Sequence, residues 1–241
     1  MLKQRSLIRR TNHLWLLLLM TLFLYACQRL PTFGNVDLEN LRLLDEGPCW
    51  KSACPGKTSL EDAFDAFLQQ DIFVTPLELE YVRSRNEVYV YFGPEHFGSN
   101  GVHLEYADQA IIRRIMIEFN SGLTLSQIID YFGSPTRTLM TADCVGDIAH
   151  PLYSFNLWYQ EQGVSVSTYG YSSDSATSEL LPQPQILISR VIYHPADVNF
   201  EKWVQIVNID EMGKRDLNEI YQNLYPWRGW EHTVPSFVRC R

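Results

Sequence analysis

Twice along this chain a Gly-x-Thr turn opens a short amphipathic helix, and strands follow each time. Gly56-Lys57-Thr58 leads into Ser59 and then Leu60, Ala63, Phe64 and Phe67. Spacing at i, i+3, i+4 and i+7 aligns these four on one helical face and predicts about three turns. Glu61 and Asp62 fall in the first turn, where the helix dipole favours anions. Gly122-Leu123-Thr124 leads in the same way into Leu125, Ile128, Ile129 and Phe132, and Gly133-Ser134-Pro135 ends that helix. The two starts lie 66 residues apart. Helices this short bury their apolar face only against something larger, and the strand-like segments between them supply it.

The strand signals are Val88 to Phe92, then Gly101 to Tyr106 and Ala110 to Phe119 as a hairpin around residues 107–109. In its second arm Ile111, Arg113, Ile115, Ile117 and Phe119 share one parity, with Arg113 the one polar intrusion. After the second helix come Tyr153 to Tyr159, a Gln160-Glu161-Gln162-Gly163 turn and Val164 to Tyr169. A Ser/Thr-rich loop from Ser172 to Pro184 then precedes Ile186 to Tyr193. These segments group into two α-then-β units, 48–121 and 122–200, read as an internal repeat. The alternative is that an α+β domain carries two Gly-x-Thr caps by chance. In the extension 201–241, Val204 to Ile209 reads as a strand and Lys214 to Leu224 as a helix, ended by Pro226-Trp227-Arg228-Gly229-Trp230. The fold class expected is α+β, two tandem units of short helix on antiparallel sheet plus a C-terminal helix.

Ahead of all this stands a leader. Lys3, Arg5, Arg9 and Arg10 precede an apolar run from Leu14 to Ala26, which ends at Leu24-Tyr25-Ala26-Cys27. At 1.5 Å per residue the run is too short to cross about 30 Å of hydrocarbon, so it reads as a secretory signal over residues 1–26. Leu-x-Ala-Cys resembles the lipobox of bacterial lipoproteins, which implies a lipidated Cys27 as the mature N-terminus and a membrane held through that lipid. An ordinary signal peptide with a chance cysteine is the competing account, and Tyr25 is bulkier than the residue usual at its place. Residues 27–47, polar with scattered leucines, then read as a tether.

Export sets the reading of the cysteines. With Cys27 lipidated, Cys49, Cys54, Cys144 and Cys240 remain, an even number in an oxidising compartment and candidates for disulfides in any of three pairings. Free buried thiols are the alternative. No cysteine or histidine spacing suits a metal. Net charge is −8, and −12 once the four basic residues of the leader are gone. So acidic a surface repels nucleic acid, since phosphate binding needs clustered Lys and Arg.

Two stretches look familiar as families. Pro48-Cys49-Trp50 followed by Pro55-Gly56-Lys57-Thr58 resembles a group of uncharacterised secreted lipoproteins of filamentous, Chloroflexus-like bacteria. Residues Leu123 to Pro135, then a strand ending in Leu157-Trp158-Tyr159, resemble the small outer-membrane-assembly lipoproteins and the β-lactamase-inhibitor-protein-like fold. The likeness covers Gly122 to Tyr169 well and Cys49 to Phe119 loosely. It implies short helices on an antiparallel sheet, tandem copies sharing one sheet, and action by binding other proteins, with no catalytic residues to carry over. The second unit, the extra cysteines and the aromatic tail depart from the shorter members.

The sequence contains no nucleophile elbow, zincin motif, Ser-x-x-Lys set or phosphate loop. His194 is the best single general-base candidate, with Asp197 placed by a Pro195 turn to meet its imidazole; a locally satisfied strand-end histidine is the plainer account. Cys144 with His150 offers a thiol and a base, against a bridged cysteine. Trp227 and Trp230 are the candidate exposed binding pair, since Trp supplies large contact area at small rotamer cost; core packing is the alternative. The expectation is a lipid-anchored extracytoplasmic protein of the cell envelope, non-enzymatic, binding an envelope protein or a glycan, with no cofactor. The competing class is a surface-tethered hydrolase with a site between the two units.

Overall fold

The computed structural model describes residues 38–73, 76–82, 86–92, 99–107, 110–120, 122–143, 152–172, 179–206 and 217–238. Five short helices lie among them: α1 (Leu38–Arg42), α2 (Leu60–Phe67), α3 (Leu125–Phe132), α4 (Phe200–Ile206) and α5 (Leu217–Gln222). Twelve strands join in one sheet. They are β1 (Leu79–Val82), β2 (Glu87–Val90), β3 (Ser99–Tyr106), β4 (Ile112–Phe119), β5 (Arg137–Asp143), β6 (Leu152–Tyr159), β7 (Val164–Thr168), β8 (Tyr171–Ser172), β9 (Glu179–Leu180), β10 (Ile188–Tyr193), β11 (Tyr225–Pro226) and β12 (Val234–Val238). The order is β1-β2-β3-β4-β10-β7-β6-β5-β12-β9, with β11 on β5 and β8 on β6. All pairings are antiparallel except β12 on β5. The expected α+β class is what the chain adopts.

All three helices foreseen from periodicity are present: α2 at eight residues rather than about three turns, α3 at eight, and α5 at six within the expected Lys214 to Leu224. Ser59 caps α2 by accepting from the Asp62 N–H at 3.1 Å. At α3 the Gln127 side chain accepts from the Thr124 N–H at 2.8 Å. Leu60, Ala63 and Phe67 of α2 and Leu125, Ile128 and Phe132 of α3 are the buried residues of the two helices, and both triplets join one core with Val88, Leu104, Ile115, Val166 and Val191 of the sheet. Each helix is tied to the strand it covers in the same way. Ser59 bridges Ile111 just before β4, and Thr124 bridges Leu187 just before β10. The structural partners of the two helices are therefore offset by one residue from the Gly-x-Thr alignment.

The opposite face of the sheet carries a second, smaller core in which α4 and α5 cover Met116, Leu139, Trp158 and Ile192. Trp203 of α4 stacks on Trp158 with ring centroids 4.9 Å apart. Here two expectations need correction. Val204 to Ile206 belongs to helix α4, not to a strand, because Trp203 and Val204 are the buried pair and adjacent residues turn to a common core only on a helix. The tether reading of residues 27–47 is also too long. Leu43 and Leu44 are 1% and 3% exposed and sit in the main core, so these two residues already belong to the fold. Trp50 Nε1 donates to the Leu43 carbonyl and Tyr131 Oη to the Leu44 carbonyl, which pins the segment to the domain. Cys27 and the leader lie outside the described residues. Among those described, no helix is long and apolar enough to cross a membrane.

Glycine matters at one turn. Gly163, between β6 and β7, has φ +63°, and a Cβ there would meet the His194 carbonyl oxygen at 2.4 Å. The backbone of the 160–163 turn passes that close to the end of β10, where the His194 N–H donates to the Gly163 carbonyl at 2.9 Å.

Candidate functional site

The register of the β3–β4 hairpin contains an irregularity that positions charge. Glu105 pairs with Arg114 and Tyr106 with Ile112, so Arg113 is an extra residue, a β-bulge. A bulge breaks strict alternation, and two neighbouring arginines consequently reach one carboxylate. Arg114 Nε stands 2.6 Å from Glu105 Oε2, and an Arg113 terminal nitrogen stands 3.4 Å from Glu105 Oε1. Arg114 also donates to the Ile206 carbonyl at the end of α4, which locks its guanidinium between sheet and helix.

These groups line a cleft of about 330 Å³ together with Gly56, Pro195, Val198, Lys202, Gln205 and Ile206. The walls combine three cations, one carboxylate and an apolar strip of Pro195, Val198 and Ile206. Its polar head groups therefore lie beside an apolar surface, the usual composition of a small-ligand pocket. The parity break at Arg113 was its only trace in sequence. Glu105, Arg114 and Lys202 carried none, because their convergence depends on a bulge and on a helix 88 residues away in the chain, from Arg114 to Lys202.

His194 does not meet Asp197. Its Nδ1 lies 2.9 Å from the Pro195 carbonyl and its Nε2 2.9 Å from Ser165 Oγ, which receives the Trp203 Nε1–H at 2.7 Å. A carbonyl can only accept, so Nδ1 carries the proton and Nε2 accepts from the Ser165 hydroxyl. Burial pushes the imidazole below its usual value, and the Pro195 hydrogen bond partly opposes that shift. A serine–histidine pair is the start of a hydrolytic triad. Here its third partner is a carbonyl, Trp203 occupies the serine oxygen, and His194 and Ser165 are 0% and 1% exposed. The network fastens α4 to the sheet.

The remaining candidates fall in separate places. Cys49 and Cys54 form a disulfide that closes a two-residue turn, in which Trp50 and Ala53 exchange backbone hydrogen bonds at 2.8 Å. Lys51 and Ser52 occupy that turn with φ of 47° and 71°, the left-handed values a primed hairpin turn requires. Asp45 steadies it through the Lys51 N–H and ammonium. Cys144, His150 and Cys240 lie outside the described residues. Trp227 and Trp230 meet edge to face at 5.3 Å in the loop after β11, both partly buried, and Trp230 packs against the main core. Among the described residues no group of three His, Cys, Asp or Glu is placed to hold a metal ion.

No protein-family model, no curated protein and no solved structure matches this chain.

Proposed function

We propose that this chain is a lipid-anchored extracytoplasmic binding protein of the bacterial cell envelope, non-enzymatic and built from two tandem α-then-β units. The observation that carries the binding role is the bulge-built cleft, whose cations and apolar strip suit recognition while its one carboxylate is held by two guanidinium groups. The partner expected from the resemblance is another envelope protein. The leader ending at Leu24-Tyr25-Ala26-Cys27 supports anchoring through Cys27.

Support for the tandem reading comes from register. Sheet order reads β1 to β4 outward-in, then β10, β7, β6 and β5, so two four-strand meanders meet through their last strands. The β7–β10 pair carries a bulge at the position corresponding to that in β3–β4: Ile188 pairs with Thr168, Arg190 with Ser167, and Ser189 is extra. Each meander is covered by one eight-residue helix with the same buried triplet and the same cap bridge. The matching bulges favour the repeat over two Gly-x-Thr caps arising by chance.

Membrane fractionation tests the anchor. The wild-type chain is expected in the membrane fraction and Cys27→Ser in the soluble extracytoplasmic fraction; a Cys27→Ser protein that stays with the membrane overturns lipid anchoring.

A further inference from the structure

We infer that the cleft beside α4 binds the carboxylate of a small organic acid, an inference that deepens the binding reading and rests on it. Two strand pairs of the sheet, β3–β4 and β7–β10, are bulged at corresponding positions. In β7–β10 the extra residue is Ser189, whose hydroxyl closes onto the Ser167 carbonyl at 3.0 Å. The bulge itself therefore needs no arginine. In β3–β4 the same position holds Arg113, beside an arginine that already neutralises the cleft's one carboxylate.

Arg113 adds a charge without a matching anion. Its contact to Glu105 is long at 3.4 Å, and its side chain is 52% exposed, against 13% for Arg114. Lys202, from α4, is a third cation and makes no ion pair among the described residues. The lining residues sum to +2 on a chain whose net charge is −8. Like charges gathered in a concave wall raise the local potential and draw in anions that the rest of an acidic surface repels. A guanidinium presents parallel donors that match the two oxygens of a carboxylate.

The other walls select the rest of the ligand. Pro195, Val198 and Ile206 give a hydrocarbon surface next to the cations, which suits a short apolar body attached to the acid. A cleft of about 330 Å³ stands at the small end of ligand cavities, which run from about 300 to 1,000 Å³. Inorganic phosphate satisfies the charge but leaves the apolar strip bare, so an organic acid is the better fit.

The test is calorimetric titration of the full chain, purified in detergent, with sodium hexanoate, neutral hexanamide and inorganic phosphate. Hexanoate is expected to bind saturably, more tightly than phosphate, with no saturable binding of hexanamide. Arg113→Gln and Lys202→Gln are each expected to weaken hexanoate binding about tenfold, the effect of losing one charge-assisted contact. Both side chains project from exposed positions, so an unchanged thermal midpoint confirms that the fold is intact. Absence of saturable hexanoate binding, equal binding of hexanamide, tighter binding of phosphate, or wild-type affinity in Arg113→Gln overturns the inference. Failure here with Cys27-dependent anchoring intact sinks the small-acid assignment and leaves the anchored binding protein standing; a titration that succeeds while Cys27→Ser stays on the membrane sinks the anchoring alone.

Discussion

At the scale of single residues, His194 shows how burial turns a candidate base into a structural acceptor. Its lowered pKa has a thermodynamic consequence. The unfolded chain titrates this group near 6.5, so below that pH the unfolded state binds more protons than the folded one. Stability contributed by neutral His194 is thus complete above about pH 7 and falls as pH drops, by at most about 1.4 kcal/mol per pH unit. Urea unfolding at pH 5 and pH 8 should show this difference in the wild type and a smaller one in His194→Asn, alongside lower stability of the variant at pH 8. An acid slope unchanged in the variant would assign it to other groups. The sequence marked His194 as a residue of interest, yet its side-chain partner is Ser165, 29 residues away, and its nearer partner is the Pro195 backbone, not Asp197. Ser165 reaches it only because β7 neighbours β10, and Trp203 joins through the Ser165 oxygen because α4 folds back over the sheet.

At the scale of elements, the helices were the most legible part. Leu60, Ala63 and Phe67, and likewise Leu125, Ile128 and Phe132, report their own periodicity because each helix buries one stripe and exposes the rest. Strand β5 passed unread for the opposite reason. Leu139 faces the second core and Met140 the first, both 0% exposed, so no polar alternation survives. The caps can be told apart by mutation. Ser59 accepts from the helix backbone through its own hydroxyl, so Ser59→Ala should cost about 1 kcal/mol in chemical denaturation. At α3 Gln127 Oε1 accepts from the Thr124 backbone N–H at 2.8 Å and from the Thr124 hydroxyl at 2.9 Å, and Thr124→Ala leaves the backbone bond in place. Thr124→Ala should therefore cost less than Ser59→Ala, and Gln127→Ala more than Thr124→Ala; the reverse order would show that the Thr124 hydroxyl is the working cap.

At the scale of the whole sheet, the β4–β10 seam decides how many parts the domain unfolds in. Val191 pairs with Ile117 and both are 0% exposed, so each meander completes the core of the other. One cooperative transition is expected, with far-ultraviolet circular dichroism and tryptophan fluorescence coinciding, since Trp50 reports from the first meander's side and Trp158 and Trp203 from the second's. Val191→Asp places an unpaired charge in the seam and should abolish that transition for both halves together. Two separate transitions in the wild type would show that the units fold independently.

What the sequence determined by itself was local: helix stripes, hairpin arms, the apolar run from Leu14 to Ala26, and an isolated oddity at Arg113. Those features depend on residues within a few positions of one another, and periodicity reads them directly. Only the tertiary structure decided that β4 and β10 lie side by side, that Cys49 bonds Cys54, and that Arg113, Arg114 and Lys202 line one cleft with Glu105. Strand pairing is chosen by the burial of whole faces, and a one-residue bulge resets every side chain beyond it. Neither quantity has a signature in a short window of sequence. The cleft is thus a product of register, and Arg113 is the residue in which that register comes to the surface.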